Sequence, residues 1–200
     1  MKVYGISIRS SRLKAFVERV RPIEFTIVDG VNGEKLSYKH MEADHVYKPL
    51  PYFRMSRGTL GCYLSHRSVW EHIAKGEHEY ALVLEDDADF RANLMPLVES
   101  LVKEVQEFDD RWNFIVMGQT TKLSIRGREA PNGFYVPSRC MGLHAYVVSK
   151  RGAEMLLSHA LPIQEAVDVF VTSFHCPGKY ATVKNVCGTL NFGSDVEHIQ

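Results

Sequence analysis

The sequence predicts a single α/β domain, residues 1–200, built on a mainly parallel central sheet. Three observations carry that expectation. A strand, a helix and a second strand open the chain in the order that makes a parallel pair. The run Tyr80-Ala81-Leu82-Val83-Leu84 reads as a strand covered on both faces. Strand and helix patterns then alternate to the end, with no linker, repeat or low-complexity segment.

Residues 2–8 alternate and are rich in β-formers, so they read as the first strand. Ser10 or Ser11 can cap a short helix through Val20, with Leu13, Phe16, Val17 and Val20 on one face. Residues 23–28 read as the second strand, ended by Asp29-Gly30. Residues 30–57 lack periodicity and hold Gly33, Pro49 and Pro51, which predicts an ordered loop covering a site. Residues 58–75 read as a helix closed by Gly76. Residues 93–108 read as another, with Leu94, Leu97, Leu101, Val105 and Phe108 on one stripe. Residues 112–117 are a buried strand, and a hairpin is expected around Asn132-Gly133. Residues 143–148 form a strand, and Ser149 caps a helix through His159. Residues 166–174 read as an apolar helix, 180–186 as a last strand, and the tail from Gly188 as irregular.

Lys plus Arg and Asp plus Glu both number 24, so the formal net charge is zero. Proteins devoted to nucleic acid or membrane surfaces usually carry a basic surplus, and neither partner is expected here. No apolar stretch approaches the ~20 residues of a membrane span, so no transmembrane segment is expected. The run before Arg9 is too short for a secretory segment, which predicts a cytoplasmic chain. Cys62, Cys140, Cys176 and Cys187 contain no CxxC and match no zinc module, so reduced, partly buried thiols are expected. GxGxxG, GxxxxGK[ST], GxSxG and HExxH are all absent. Dinucleotide dehydrogenases, P-loop enzymes, serine hydrolases of the elbow type and zincins therefore lose ground.

The chemistry concentrates where the Tyr80 strand ends. Glu85, Asp86, Asp87 and Asp89 fall within five positions. Crowded carboxylates repel unless a cation sits among them, and ligands bind at this end of open α/β sheets. Hard oxygen donors suit Mg²⁺ or Mn²⁺ holding a diphosphate. The competing reading is that the acids cap the helix that follows. Asp87 and Asp89 alternate along the chain and Glu85 shares their parity, so all three can reach one ion, in the order of preference Asp87, Asp89, Glu85. Asp168 lies between Val167 and Val169, where an acid needs a partner or a task.

Several segments resemble glycosyltransferase family 25. The run Met55-Ser56-Arg57-Gly58-Thr59-Leu60-Gly61-Cys62-Tyr63-Leu64-Ser65-His66 is similar to that family's "SRGExGCxLSH", with Thr59 where Glu is usual. Leu84-Glu85-Asp86-Asp87 resembles its "LEDD", and Val28-Asp29-Gly30 its "VDG". Residues 142–149 are similar to "GTHAYVIS", residues 167–169 lie in a "P(I/V)D"-like segment, and Ser194-Asp195-Val196 resembles "SDI".

The resemblance implies one GT-A-like, Rossmann-like domain that transfers a hexose, galactose or glucose, from a UDP-sugar with inversion. The acceptor would be a saccharide or a protein-linked hydroxyl, and Mn²⁺ or Mg²⁺ would sit at the acidic motif. Lipopolysaccharide biosynthesis is one setting for such an activity. Within that frame Glu85, Asp87, Asp89 and Asp195 are metal candidates, with His175 and His198 as rivals for a third ligand. Arg9, Arg12, Asp29, Gly58, Ser65, His66, Asp86 and His144 are candidates for contacting the donor. Asp168 is the candidate general base, against a structural role holding a backbone N–H. Two alternatives stay open: a metal-dependent phosphohydrolase using the same acids, and an inactive nucleotide-binding relative.

Overall fold

A computed structural model describes residues 1–8, 10–90, 93–120, 124–173, 177–184 and 186–190. Arg9, His175, Cys176, Asp195 and His198 lie outside the described residues.

The chain opens β1 (Lys2–Ser7), α1 (Ser10–Val20) and β2 (Thr26–Asp29), with β1 and β2 parallel. The segment that follows carries a 3₁₀ turn at Gly33–Lys35 and the short helix α2 (Tyr38–Ala43). Helix α3 (Arg57–Lys75) leads to β3 (Tyr80–Glu85) and, after a two-residue turn, to β4 (Ala88–Phe90). Then come α4 (Leu94–Gln106), β5 (Phe114–Gly118), the hairpin β6 (Ile125–Ala130) and β7 (Phe134–Arg139), and β8 (Ala145–Ser149). Helices α5 (Lys150–His159) and α6 (Val167–Ser173) and strands β9 (Lys179–Thr182) and β10 (Cys187–Thr189) complete it.

The main sheet has eight strands in the order β2-β1-β3-β8-β5-β9-β7-β6. Six share one direction; β8 and β7 run against them. The α/β class and the mainly parallel sheet expected from the sequence are therefore present, with two reversals that local patterning does not reveal. Side-chain alternation along β3 splits the core into two layers. Ala81 and Val83 face Leu60, Tyr63, Trp70 and Phe170 beneath α3, α5 and α6. Leu82 and Leu84 face Phe16, Val98, Leu101 and Val105 beneath α1 and α4.

Local signals hold where a cap is present. Ser56 Oγ accepts from Thr59 N at 3.0 Å, and Ser149 Oγ accepts from Gly152 N at 2.9 Å. Two expectations need correction. The acids after β3 do not cap the next helix: Asn93 holds the N-cap position of α4, in a left-handed conformation and without a side-chain cap bond, while residues 88–90 form β4, paired with β10. The tail from Gly188 is not irregular throughout, since β10 runs from Cys187 to Thr189. A smaller difference lies on α4, where Val98 is buried and Leu97 is 38% exposed.

Gly61 fixes the start of α3 against the preceding loop. A Cβ there would sit 2.5 Å from Val31 O and 2.9 Å from Gly33 N. Both neighbours are backbone and cannot swing away. Gly61→Ala is expected to cost about 1–3 kcal/mol through overpacking, read as a lower denaturation midpoint with unchanged slope.

Candidate functional site

The carboxyl ends of β1, β2 and β3 lie side by side, bringing Ser7, Asp29 and Glu85 to one edge. Because β8 is antiparallel, its amino end reaches the same edge. Leu84 pairs with Ala145, and Glu85 N donates to His144 O at 2.9 Å. His144 therefore stands beside Glu85 although 59 positions separate them. The β4–β10 ribbon adjoins this corner: Leu190 N donates to Asp87 O at 2.8 Å, and His144 Nε2 lies 3.0 Å from Cys187 O.

Each acid has a different environment. Asp86 is turned inward and held by Ser7 Oγ, which donates to its Oδ2 at 2.6 Å, and by Arg12 Nη1, 3.8 Å from its Oδ1. Arg19 Nη2 donates to its main-chain oxygen at 2.5 Å. Glu85 Oε1 lies 2.9 Å from His66 Nε2. Burial pulls the Glu85 carboxyl up, but that hydrogen bond and the charges of His66 and His144 outweigh it and leave it lowered. Asp87 is pushed up to about 7 by burial, then by the Glu85 and Asp86 carboxylates, with Arg12 opposing. Among the described residues its Oδ1 is buried without a hydrogen-bond partner. Asp89 is exposed on β4, opposite Gly188.

Behind Glu85 lies a buried chain of polar groups. His66 Nδ1 is 3.0 Å from the Tyr146 hydroxyl, which accepts from Trp70 Nε1 at 3.0 Å. Tyr146→Phe leaves the buried Trp70 N–H and one imidazole nitrogen without their partner. A loss of about 1–3 kcal/mol is expected, measured by denaturant unfolding. Cys62 lies one helical turn before His66, and its sulfur, a His66 nitrogen and a Glu85 oxygen all fall within 4.8 Å of one another. Burial, then Glu85, Asp168 and Asp87, push the Cys62 thiol well up.

The other candidates are placed as follows. Ser65 donates to Gly61 O at 2.7 Å and accepts from Val31 N at 2.8 Å, so its hydroxyl secures the loop to α3. Gly58 is in the first turn of α3. Asp29 ends β2 and is exposed. Asp168 Oδ2 accepts from Gly142 N and its Oδ1 from Val169 N, both at 2.8 Å. The first of these ties α6 to the loop before His144. Ser7, Arg19, Cys62, Trp70 and Tyr146 escaped the sequence reading as site neighbours; the i,i+4 spacing of Cys62 and His66 was the only local signal for any of them.

The three acids are hard oxygen donors of the kind a divalent ion takes, but among the described residues their ligand atoms do not converge: the group within 4.8 Å of one another is Cys62, His66 and Glu85, not Glu85, Asp87 and Asp89. Glu85, Asp87 and Asp89 offer carboxylate oxygens, and the orphaned Asp87 oxygen sits among like charges that a cation would neutralise.

A mainly parallel α/β sheet with helices on both faces and carboxylates at the carboxyl end of a central strand has the Rossmann-like architecture. The family described as "Glycosyltransferase family 25 (LPS biosynthesis protein)" matches residues 1–171, and the chain belongs to that family. It is similar to procollagen galactosyltransferase 1-B of Xenopus laevis, 27% identical over 177 residues, covering 80% of this chain and 28% of that one. It is also similar to the mouse "Inactive glycosyltransferase 25 family member 3", 29% identical over 160 residues, covering 74% of this chain and 27% of that one. The chain thus spans about a quarter of the length of these curated relatives. Among solved structures, the galactosyltransferase LgtC in complex with donor and acceptor sugar analogues matches with a TM-score of 0.48 and 11% identity, over 90% of this chain and 73% of that one. Three of the four cysteines, Cys62, Cys140 and Cys187, are free thiols. Among the described residues no helix is long and apolar enough to cross a membrane.

Proposed function

We propose that this protein transfers a hexose, galactose or glucose, from a UDP-sugar to a hydroxyl of a saccharide or protein-linked acceptor, with inversion at the anomeric carbon. The observation that carries the reading is Asp87: a half-buried carboxylate whose buried Oδ1 is orphaned among the described residues, raised to about 7, just past the carboxyl end of β3. Glu85, Asp87 and Asp89 would hold Mn²⁺ or Mg²⁺, and Asp195 is a further candidate outside the described residues. The ion supplies Lewis-acid stabilisation of the charge that develops on the departing diphosphate.

The chain's own groups prepare the site. His66 and the main chain of His144 hold Glu85 in place. Ser7, Arg12 and Arg19 lock Asp86 and with it the turn that aims Asp87. Arg9, Arg12, Asp29, Gly58, Ser65, His66, Asp86 and His144 line or support the donor side in this reading. Asp168 takes the proton of the acceptor hydroxyl on a carboxylate oxygen as that hydroxyl attacks the anomeric carbon.

The mouse relative named as inactive favours one alternative, a donor-binding protein without turnover. Incubation with UDP-galactose or UDP-glucose, Mn²⁺ and a panel of hydroxyl acceptors separates the readings. Transfer or donor hydrolysis with an inverted anomeric centre supports the transferase. Cleavage of the pyrophosphate bond to UMP and a sugar 1-phosphate instead would establish the phosphohydrolase, and binding without turnover the inactive relative.

A further inference from the structure

We propose that Cys62, His66 and Glu85 form a second metal site, selective for a zinc-class divalent cation, and that filling it withdraws Glu85 from the hard-ion site. Their ligand atoms lie within 4.8 Å of one another and come from two rigid elements, α3 and β3. Cys62 and His66 are four residues apart on α3, so both side chains project from one helix face. Thiolate, imidazole and carboxylate together are a borderline-soft donor set that suits Zn²⁺ and disfavours Mg²⁺. Three protein ligands leave a tetrahedral ion one further position for water.

The outer shell fits as well. A metal-bound imidazole needs a partner for its other nitrogen. His66 Nδ1 has one in the Tyr146 hydroxyl, which Trp70 Nε1 anchors in turn. His66 Nε2 and Glu85 Oε1 are 2.9 Å apart. Zinc bonds of about 2.0 Å at a tetrahedral angle require roughly 3.3 Å, an opening of a few tenths of an ångström. On binding, the thiol proton leaves to solvent, the imidazole proton resides on Nδ1, and two bonds form at Sγ and Nε2 alongside the carboxylate bond.

Zinc binding itself is independent of the transferase reading; only the competition with Mn²⁺ for Glu85 rests on it. The probe is Co²⁺ added to the reduced protein, followed by Zn²⁺. The expected result is a near-ultraviolet thiolate-to-cobalt band with the visible bands of a four-coordinate ion, one ion per chain, erased by Zn²⁺. Cys62→Ala should lose the band while keeping Mn²⁺-dependent UDP binding, which also reports that the variant is folded. Tyr146→Phe should weaken Co²⁺ binding about 10–100-fold. No band in the wild type, or an equal band in Cys62→Ala, overturns the site. Zinc that binds yet leaves Mn²⁺-dependent UDP binding unchanged overturns the shared use of Glu85. If the wild type never binds UDP, the cobalt spectrum still decides the site, and circular dichroism serves as the folding control.

Discussion

Asp87→Asn should reduce sugar transfer by about 10²–10³-fold and abolish the metal dependence of UDP binding. The substitution keeps size and shape but removes the charge whose oxygen finds no partner within the described residues. The same variant has a second signature in stability. In metal-free protein the folded Asp87 carboxyl titrates near 7 against an ordinary value of 3.8. Below about 4 it is protonated folded and unfolded, and costs nothing. Between about 4 and 7 the unfolded chain loses its proton while the folded chain keeps it. Stability therefore falls as pH rises through that window, and the penalty is complete above it. At full strength the rise corresponds to about 4 kcal/mol, less once water screens a partly buried carboxylate. Melting curves in EDTA from pH 4 to 8 should show this decline in the wild type and a flatter course in Asp87→Asn. A divalent ion should restore wild-type stability at neutral pH.

Asp168→Asn is expected to lower kcat by about 10²–10⁴-fold while leaving UDP binding close to wild type and lowering stability by only the about 1 kcal/mol of one lost backbone bond. The asparagine oxygen can still accept from Gly142 N, so the tie between α6 and the loop before His144 survives, while the bond from Val169 N is lost because an NH₂ replaces the second oxygen. Lost as well is the ability to take a proton. If Asp168 only holds backbone, the variant would lower the melting temperature and spare kcat in the fraction that remains folded.

Elements written in local chemistry were legible. The apolar run ending in Glu85 gave β3, the serine at 149 gave the start of α5, and Asn132-Gly133 gave the turn between β6 and β7. Direction and partnership were not. Nothing in residues 145–149 says that β8 runs against β3, because a strand buried on both faces has the same pattern in either direction. That reversal is what puts His144 beside Glu85. Likewise β10 is three residues long and exists because β4 pairs with it, an interaction spanning about a hundred residues. The acids were recognisable as a cluster, yet their division of labour was not. Asp86 is fixed by Ser7 and Arg12 and Glu85 by His66, through contacts 19 to 79 positions apart, whereas Asp87 Oδ1 finds no such partner among the described residues. Periodicity carries no information at that range.

The Asp87 corner is expected to hold a divalent ion that in turn holds a nucleoside diphosphate. Calorimetric titration with UDP, first in Mn²⁺ and then in EDTA, tests it most directly. Binding in Mn²⁺ that disappears in EDTA and in Asp87→Asn is the expected result. UDP binding of equal strength in EDTA, or none under either condition, would contradict it.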